Sequence, residues 1–194
     1  MEIKRPESNQ PIPSNAKKVF EGILFDVYQW QQELYDGRFA TYEKLKRADG
    51  AIVFGVLPNG QILLANQEQC GKSPFISALG GRIEEGENPI DAAKRELLEE
   101  SGYEAENFTL WISHQPTSKI DWAVFVFIAK GLKKVSDQNL DGGEKISIMP
   151  VSFDGLLDFA SNPLFSEKDV VPELLKARFD PIKYEELKRL FDPN

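Results

Sequence analysis

Hydrophobic and polar positions along this chain fall into short alternating runs separated by glycine- and proline-marked breaks. Residues 1–16 are polar and carry Pro6, Pro11 and Pro13, which predicts an extended arm. From 19 to 34 the aromatic and β-branched content rises, with Phe20, Ile23, Phe25, Val27, Tyr28 and Trp30 alternating as in a strand. Asp36-Gly37 marks a turn, and 39–46 returns with Phe39, Thr41 and Leu45 on one face, so the pair reads as a β-hairpin. Two strands alone are marginally stable, and this hairpin must pack on the core or on a second subunit.

The apolar run 51–57 ends at Pro58-Asn59-Gly60 and continues as a second strand over 61–65. A polar loop is expected over 66–77, and 75–79 leads as a short strand into the Gly80-Gly81 corner. Two further strands are expected at 108–114 and 122–130, the second apolar enough to be central. Residues 135–145 read as an acidic, glycine-containing loop of a length that is usually functional or disordered, and 146–151 as a last strand. Ser152 caps a helix to about residue 161, and helical patterns at 167–178, disturbed by Pro172, and 182–191 close the chain. The order predicts an α/β fold: a mixed sheet with helices on its faces.

Between the glycine corner and residue 103 lies the one stretch with dense chemistry. Asn88 is a good N-cap, Pro89 falls where its missing N–H is no loss, Asp91 sits near the positive end of the dipole, and Gly102 supplies a left-handed C-terminal residue. A helix is therefore predicted over 89–101. At about 100° per residue Ile90, Ala93 and Leu97 share one face, while Glu96, Glu99 and Glu100 share a neighbouring arc. Like charges at that spacing repel by a few tenths of a kcal/mol per pair. An acidic helix face can simply be solvated, but a cation would reverse the sign. Oxygen-only donors suit Mg²⁺, Mn²⁺ or Ca²⁺, and the absence of nearby His or Cys disfavours zinc.

Whole-chain properties narrow the classes. The 194 residues suffice for one well-buried core, and the net charge of −8 disfavours binding to a nucleic-acid polymer, which needs a basic patch. Cys70 is the only cysteine, so no intrachain disulfide can form and a reducing, cytoplasmic setting is expected. No apolar run is long enough for a membrane span, and the N-terminal stretch lacks the apolar core of a signal peptide. His114, the sole histidine, is expected at a strand end, and Trp111 and Trp122 in the sheet.

Gly81, Glu87, Arg95, Glu96, Leu97, Glu99, Glu100 and Gly102 match, position by position, a pattern that resembles the Nudix hydrolase signature G-x5-E-x7-R-E-u-x-E-E-x-G-u, where u is bulky and apolar. Tyr103 departs at the last, usually aliphatic, position. The resemblance implies a Nudix α/β/α sandwich with a mixed sheet over 47–194, preceded by the arm and β-hairpin extension of 1–46. It implies hydrolysis of a nucleoside diphosphate linked to another group, with Mg²⁺ or Mn²⁺ held by Glu96, Glu99 and Glu100 and by the Gly80 carbonyl. Arg95 would orient a neighbouring carboxylate.

The extension resembles that of ADP-ribose and nucleoside-diphosphate-sugar pyrophosphatases, which implies a homodimer. In that group an acidic loop supplies a catalytic glutamate, and Glu144 occupies the comparable place; whether Glu144 or the helix residue Glu99 is the general base stays open. Pro116 resembles a proline of ADP-ribose hydrolases, and Tyr28 is a candidate to stack on a base. Gln67-Glu68-Gln69 stands where the group often has Gln-x-Arg, so a basic phosphate contact would come from Arg47 or Arg82. Residues 115–119 lack the group's Gly-rich acidic form, and Ala78-Leu79 precedes the glycine pair where Pro is common. Alternatives are cleavage of dinucleoside polyphosphates or nucleoside triphosphates, or nucleotide sensing without cleavage.

Overall fold

The apolar strand expected to be central is central. In the computed structural model, which describes residues 3–193, β11 (Val124–Lys130) pairs in parallel with β4 (Gly50–Val56) and antiparallel with β9 (Asn107–His114). Met1 and Glu2 of the expected arm, and Asn194, lie outside the described residues. β5 (Ile62–Gln69) and β13 (Glu144–Val151) extend the sheet to the order β13-β5-β4-β11-β9, while β6 (Phe75–Ser77) pairs with β5 and β7 (Leu79–Arg82) with β4.

Strand periodicity sorts the core into two layers. Ala51, Val53, Phe125, Phe127 and Ala129 face α1 (Pro89–Ser101), which buries Ala92, Ala93 and Leu97 against them. Their sequence neighbours Phe54, Val56, Val124, Val126 and Ile128 point to the opposite face, covered by α2 (Phe153–Phe159), α3 (Val171–Phe179) and α4 (Pro181–Leu190). Phe54, Trp111 and Phe191 meet there edge to face, with ring centroids 5.5 to 6.0 Å apart. The result is the expected α/β/α arrangement.

α1 begins and ends as its caps dictate. The Asn88 side chain accepts the N–H groups of Ile90 and Asp91 at 3.1 Å, and Gly102 takes φ 67° while donating to the Leu98 carbonyl. α3 differs from expectation. It starts at Val171, which puts Pro172 in the first turn, where no backbone donor is lost, and leaves Glu167 in the segment before the helix.

The hairpin forms with Glu33 opposite Phe39 and Asp26 opposite Lys46 between β2 (Asp26–Glu33) and β3 (Phe39–Lys46). It does not stand alone: β1 (Lys17–Glu21) adds to one side, and β10 (Ile120–Asp121), from the core's own connection, pairs in parallel with β3. The proline-containing arm is fastened to this sheet. Lys44, only 2% exposed, donates to the Ser8 hydroxyl at 2.7 Å and the Gln10 carbonyl at 2.6 Å. Arg5 forks onto Asp49 at 2.7 and 2.9 Å and reaches Asp121 at 3.1 Å. A last two-stranded pair, β8 (Tyr103–Glu104) with β12 (Lys133–Lys134), follows the C-terminus of α1.

The loop expected over 66–77 is mostly strand. β5 runs on to Gln69 because β13 pairs with it along its whole length, from Ile62 opposite Val151 to Gln69 opposite Glu144. Asn66, Gln67, Glu68 and Gln69 carry no apolar signal, and pairing with β13, joined by β6 at Asn66 and Gln67, makes this stretch extended.

Candidate active site

The corner after β6 brings backbone against carboxylate. Gly80 has φ +142°, and a Cβ there would strike the Ala51 carbonyl of β4; a Cβ on Gly81 would strike the Glu96 carboxylate. Pairing of β7 with β4 turns the Gly80 N–H to the outer edge, where it donates to the Glu100 carboxylate at 2.7 Å. Two residues further along the same edge, the Arg82 carbonyl accepts from Arg95 at 2.9 Å.

Arg95 is the hub of this edge. It grips Glu87 with two bonds of 3.0 Å and reaches Glu96 at 2.7 Å and Glu99 at 3.2 Å. Arg95, expected to touch one neighbouring carboxylate, contacts three. Glu87 in turn accepts the Glu84 N–H at 3.0 Å, which closes the loop before α1, and the guanidinium holds its carboxyl below the usual range.

Glu100 has no such cation. It is 5% exposed, and burial pushes its pKa up to about 8, against the Gly80 N–H bond and reinforced by Glu96, Glu144 and Glu167. Glu96 is also pushed up: burial outweighs its bond to Arg95, and Glu99 and Glu144 add to it. Glu167 is half-buried as a residue, but its carboxyl end is enclosed, and burial lifts its pKa to about 7. Of these carboxylates only Glu96 is bonded to a guanidinium, and an added positive charge would stabilise their ionised forms.

Glu144 joins them. It opens β13, accepts from the Gln69 amide at 3.2 Å, and lines with Glu96, Glu99, Glu100 and Gly80 a recess of about 160 Å³. The preceding segment is not free. Asn139 N–H donates to the Glu99 carbonyl at 2.8 Å, the Gln138 amide to the Glu100 carbonyl at 2.5 Å, and Lys134 to the Ser101 carbonyl at 2.6 Å. The last carbonyls of α1, orphaned by helix geometry, are thus capped by the stretch that leads to Glu144. One element fixes both carboxylate sources.

The donor set is oxygen only and over-rich in negative charge, which fits a hard divalent cation. Among the described residues no three His, Cys, Asp or Glu side chains converge closely enough, as they stand, to share one ion. Arg95 spans Glu96 and Glu99, and Glu100 is drawn to Gly80, so chelation requires side-chain rotation.

The NUDIX domain family matches residues 46–167 of the chain. The chain belongs to that family. It is similar to an ADP-ribose pyrophosphatase of Bacillus subtilis (strain 168), with 28% identity over 144 residues covering 73% of this chain and 78% of that protein. It is also similar to a methanol dehydrogenase activator of Bacillus methanolicus, with 26% identity over 161 residues covering 80% of this chain and 86% of the relative. A crystal structure of an ADP compounds hydrolase has the same fold, with a TM-score of 0.70 at 21% identity, covering 92% of this chain and 95% of that one. Nudix hydrolases generally use divalent metals.

Other residues singled out in the sequence divide between two further places in this Nudix enzyme. Next to the acidic recess, beyond Ile83 to Glu87, a cleft of about 630 Å³ separates the N-terminal sheet from the core and contains Arg47. The Arg47 guanidinium lies 4.7 Å from the Trp122 ring and 5.7 Å from Phe25, its Nε is buried without a hydrogen-bond partner, and burial followed by nearby Arg82 holds its pKa down. Trp122, expected in the sheet, lies between β10 and β11 and serves this stack. Arg82 itself lines the acidic recess.

Tyr28 is elsewhere, in a recess of about 510 Å³ beneath Pro6, Pro11 and Ile12 of the arm. Pro116 lies in the β9 to β10 connection, whose Gln115 donates to the Pro6 carbonyl at 3.1 Å; neither residue lines the acidic recess. The single chain does not bring Tyr28 or Pro116 to the carboxylates. His114 bonds Asp169 at 2.9 Å, and Cys70 is exposed. Sequence reasoning missed Gln69, Gln138, Lys134 and Glu167. All four act across the fold, and no local pattern marks them.

Proposed function

We propose that the protein hydrolyses the diphosphate bond of ADP-ribose or another nucleoside-diphosphate sugar, giving a nucleoside monophosphate and a sugar phosphate. The observation that carries the reading is the convergence of Glu96, Glu99, Glu100 and Glu144 on one recess beside a cleft of about 630 Å³, a volume typical of small-ligand sites. The ADP-ribose pyrophosphatase of Bacillus subtilis supports the substrate class.

Glu96, Glu99, Glu100 and the Gly80 carbonyl would hold Mg²⁺ or Mn²⁺, which would offset charge on the phosphate oxygens and lower the pKa of a nearby water. Arg95 bridges Glu96 and Glu99 through one guanidinium nitrogen and holds both at the edge of the recess. Glu144, held by Gln69 and outside the grip of Arg95, accepts the proton of the attacking water. Arg47 and Arg82 lie on the cleft side and the recess side of the Arg82 to Glu87 stretch, and each offers a donor fork to a phosphate or carboxylate of the substrate. A panel of nucleotide sugars, dinucleoside polyphosphates and nucleoside triphosphates with Mg²⁺, read by phosphomonoester formation, tests this. Turnover confined to triphosphates, or none with any compound, would overturn it.

The same reading takes residues 1–46 as an extension and the enzyme as a homodimer in a reducing compartment. Phe20, Ile23, Leu24 and Phe39 leave apolar surface exposed on the N-terminal sheet, which supports a second copy there. Light scattering should give twice the 21.9 kDa chain mass. A monomer would refute the dimer. Among the described residues no helix is long and apolar enough to cross a membrane.

A further inference from the structure

Two neighbouring strands run from the N-terminal sheet into the core: β3 leads into β4, and β10 into β11. Their register changes on the way. Asp121 is opposite Lys46 but Val124 is opposite Gly50, so residues 47, 48 and 49 face only 122 and 123. One extra residue in one strand is a β-bulge, which bends the pair and re-aims the side chains it contains. Arg47, which lines the cleft of about 630 Å³, and Trp122 both lie in this bulge, with the guanidinium 4.7 Å from the ring.

The Arg47 N–H donates to the Asp121 carbonyl at 3.3 Å and the Gly50 N–H to the Ala123 carbonyl at 2.9 Å. A regular parallel ladder would bring the Ala123 N–H to the Arg47 carbonyl; here the Asp49 carboxylate takes it, at 2.8 Å. Ala123 is fully buried, so without Asp49 this N–H would be unpaired. The Asp49 carbonyl accepts the Ile83 N–H at 2.9 Å, which ties the bulge to the stretch between the cleft and the acidic recess.

Arg5 closes this corner from the N-terminal arm. Its Nε and one terminal nitrogen donate to the two oxygens of Asp49 at 2.7 and 2.9 Å, and the other terminal nitrogen donates to Asp121 at 3.1 Å. One guanidinium therefore grips both strands, Asp49 inside the bulge and Asp121 just before it. The arm has other fastenings, since Lys44 holds Ser8 and Gln10 while Gln115 holds the Pro6 carbonyl. Asp49, Asp121, Glu84, Glu85 and Glu87 all line the cleft, and Arg5 offsets two of these charges where an anionic substrate would lie.

We propose that Arg5 is a positioning residue for substrate binding: by bridging Asp49 and Asp121 it staples the two strands across the bulge and fixes Arg47 against Trp122 at the cleft. Its effect on KM rests on the proposed hydrolase function; its effect on the bulge does not.

The test compares Arg5→Ala with Arg5→Lys, whose ammonium keeps the charge but has no planar fork to span both carboxylates. Amide hydrogen exchange should show protection at Ala123 falling about tenfold or more in both variants, with Val53 and Phe127 in the core strands unchanged. The Arg47 Nε–H resonance, displaced by the Trp122 ring, should move toward that of a solvated arginine. With ADP-ribose and Mg²⁺, KM should rise about tenfold in Arg5→Ala and at least about threefold in Arg5→Lys, with kcat within about threefold of wild type. Arg38→Ala, which removes an equal charge from the exposed hairpin turn, should leave all of these at wild-type values. Should Arg5→Ala not fold, Arg5→Gln takes its place, and the same changes are expected. Unchanged Ala123 protection with an unmoved Arg47 resonance in the folded variant would overturn the proposal. Full rescue by Arg5→Lys, or an equal rise in KM in Arg38→Ala, would also overturn it, because charge alone would then account for the effect. Wild-type enzyme that left ADP-ribose intact would count against the proposed function, while the Ala123 exchange and the Arg47 resonance would still decide the role of Arg5.

Discussion

Replacing Glu100 with Gln separates the cost of the site from its use. Glu100 is 5% exposed and holds its proton up to about pH 8 in the folded, metal-free chain, whereas an unfolded glutamate loses it near the ordinary value of 4.5. Between those values the folded chain binds more protons than the unfolded one, so stability falls as pH rises, and above about pH 8 the full penalty is present. The shift corresponds to a ceiling of about 5 kcal/mol at about 1.4 kcal/mol per unit. Because effective dielectric constants are well above that of a dry interior, roughly half, about 2–3 kcal/mol, is the working figure. Glu100→Gln cannot ionise, yet its amide oxygen can still accept the Gly80 N–H. In chelator, its melting temperature should match wild type at about pH 5 and exceed it by roughly 5–10 °C at about pH 9, taking about 2–4 °C per kcal/mol for a chain of this size. With Mg²⁺ restored, kcat should fall by several orders of magnitude, since the lost charge is what receives the cation. Thermal melts at the two pH values and one kinetic assay decide it. Equal melting shifts at both pH values, or no gain at about pH 9, would refute the burial argument, and wild-type turnover would remove Glu100 from the metal site.

Three further perturbations probe the rest of the site. Glu144→Gln should lower kcat about 10²–10⁴-fold, the range of a general base, with Mn²⁺ affinity by calorimetry nearly unchanged; a drop below about tenfold returns the role to a helix glutamate such as Glu99. Gly81→Ala places a methyl group against the Glu96 carboxylate and should weaken Mn²⁺ binding and lower kcat about 10–100-fold while circular dichroism stays native; unchanged metal affinity would show that Glu96 can move aside freely. Arg47→Ala should raise KM about 10–100-fold with a smaller change in kcat, and Arg47→Lys should not restore it, because the planar stack on Trp122 needs a guanidinium. Full rescue by Lys in steady-state kinetics would reduce Arg47 to a point charge.

What could be read from the sequence was local. The caps at Asn88, Pro89 and Gly102 specify α1 to the residue because N–H and carbonyl satisfaction at helix ends depends on neighbours in the chain. The unbroken apolar runs of β4 and β11 likewise marked strands buried on both faces, and the spacing from Gly81 to Gly102 placed Glu96, Glu99 and Glu100 on one arc. The tertiary structure alone decided what depends on partners distant in sequence. Gln69 is strand because β13 lies beside it, and Glu144 leaves its expected loop for the same reason. Pro172 reads as a disturbance in a helix over 167–178 until pairing of the preceding segment with β6 moves the start to Val171. Three carboxylates on an arc repel equally in any sequence. Which of them is held by Arg95 and which is buried facing Glu144 and Glu167 follows from packing against the edge of β7, since desolvation and hydrogen bonding act through contacts that no sequence spacing encodes.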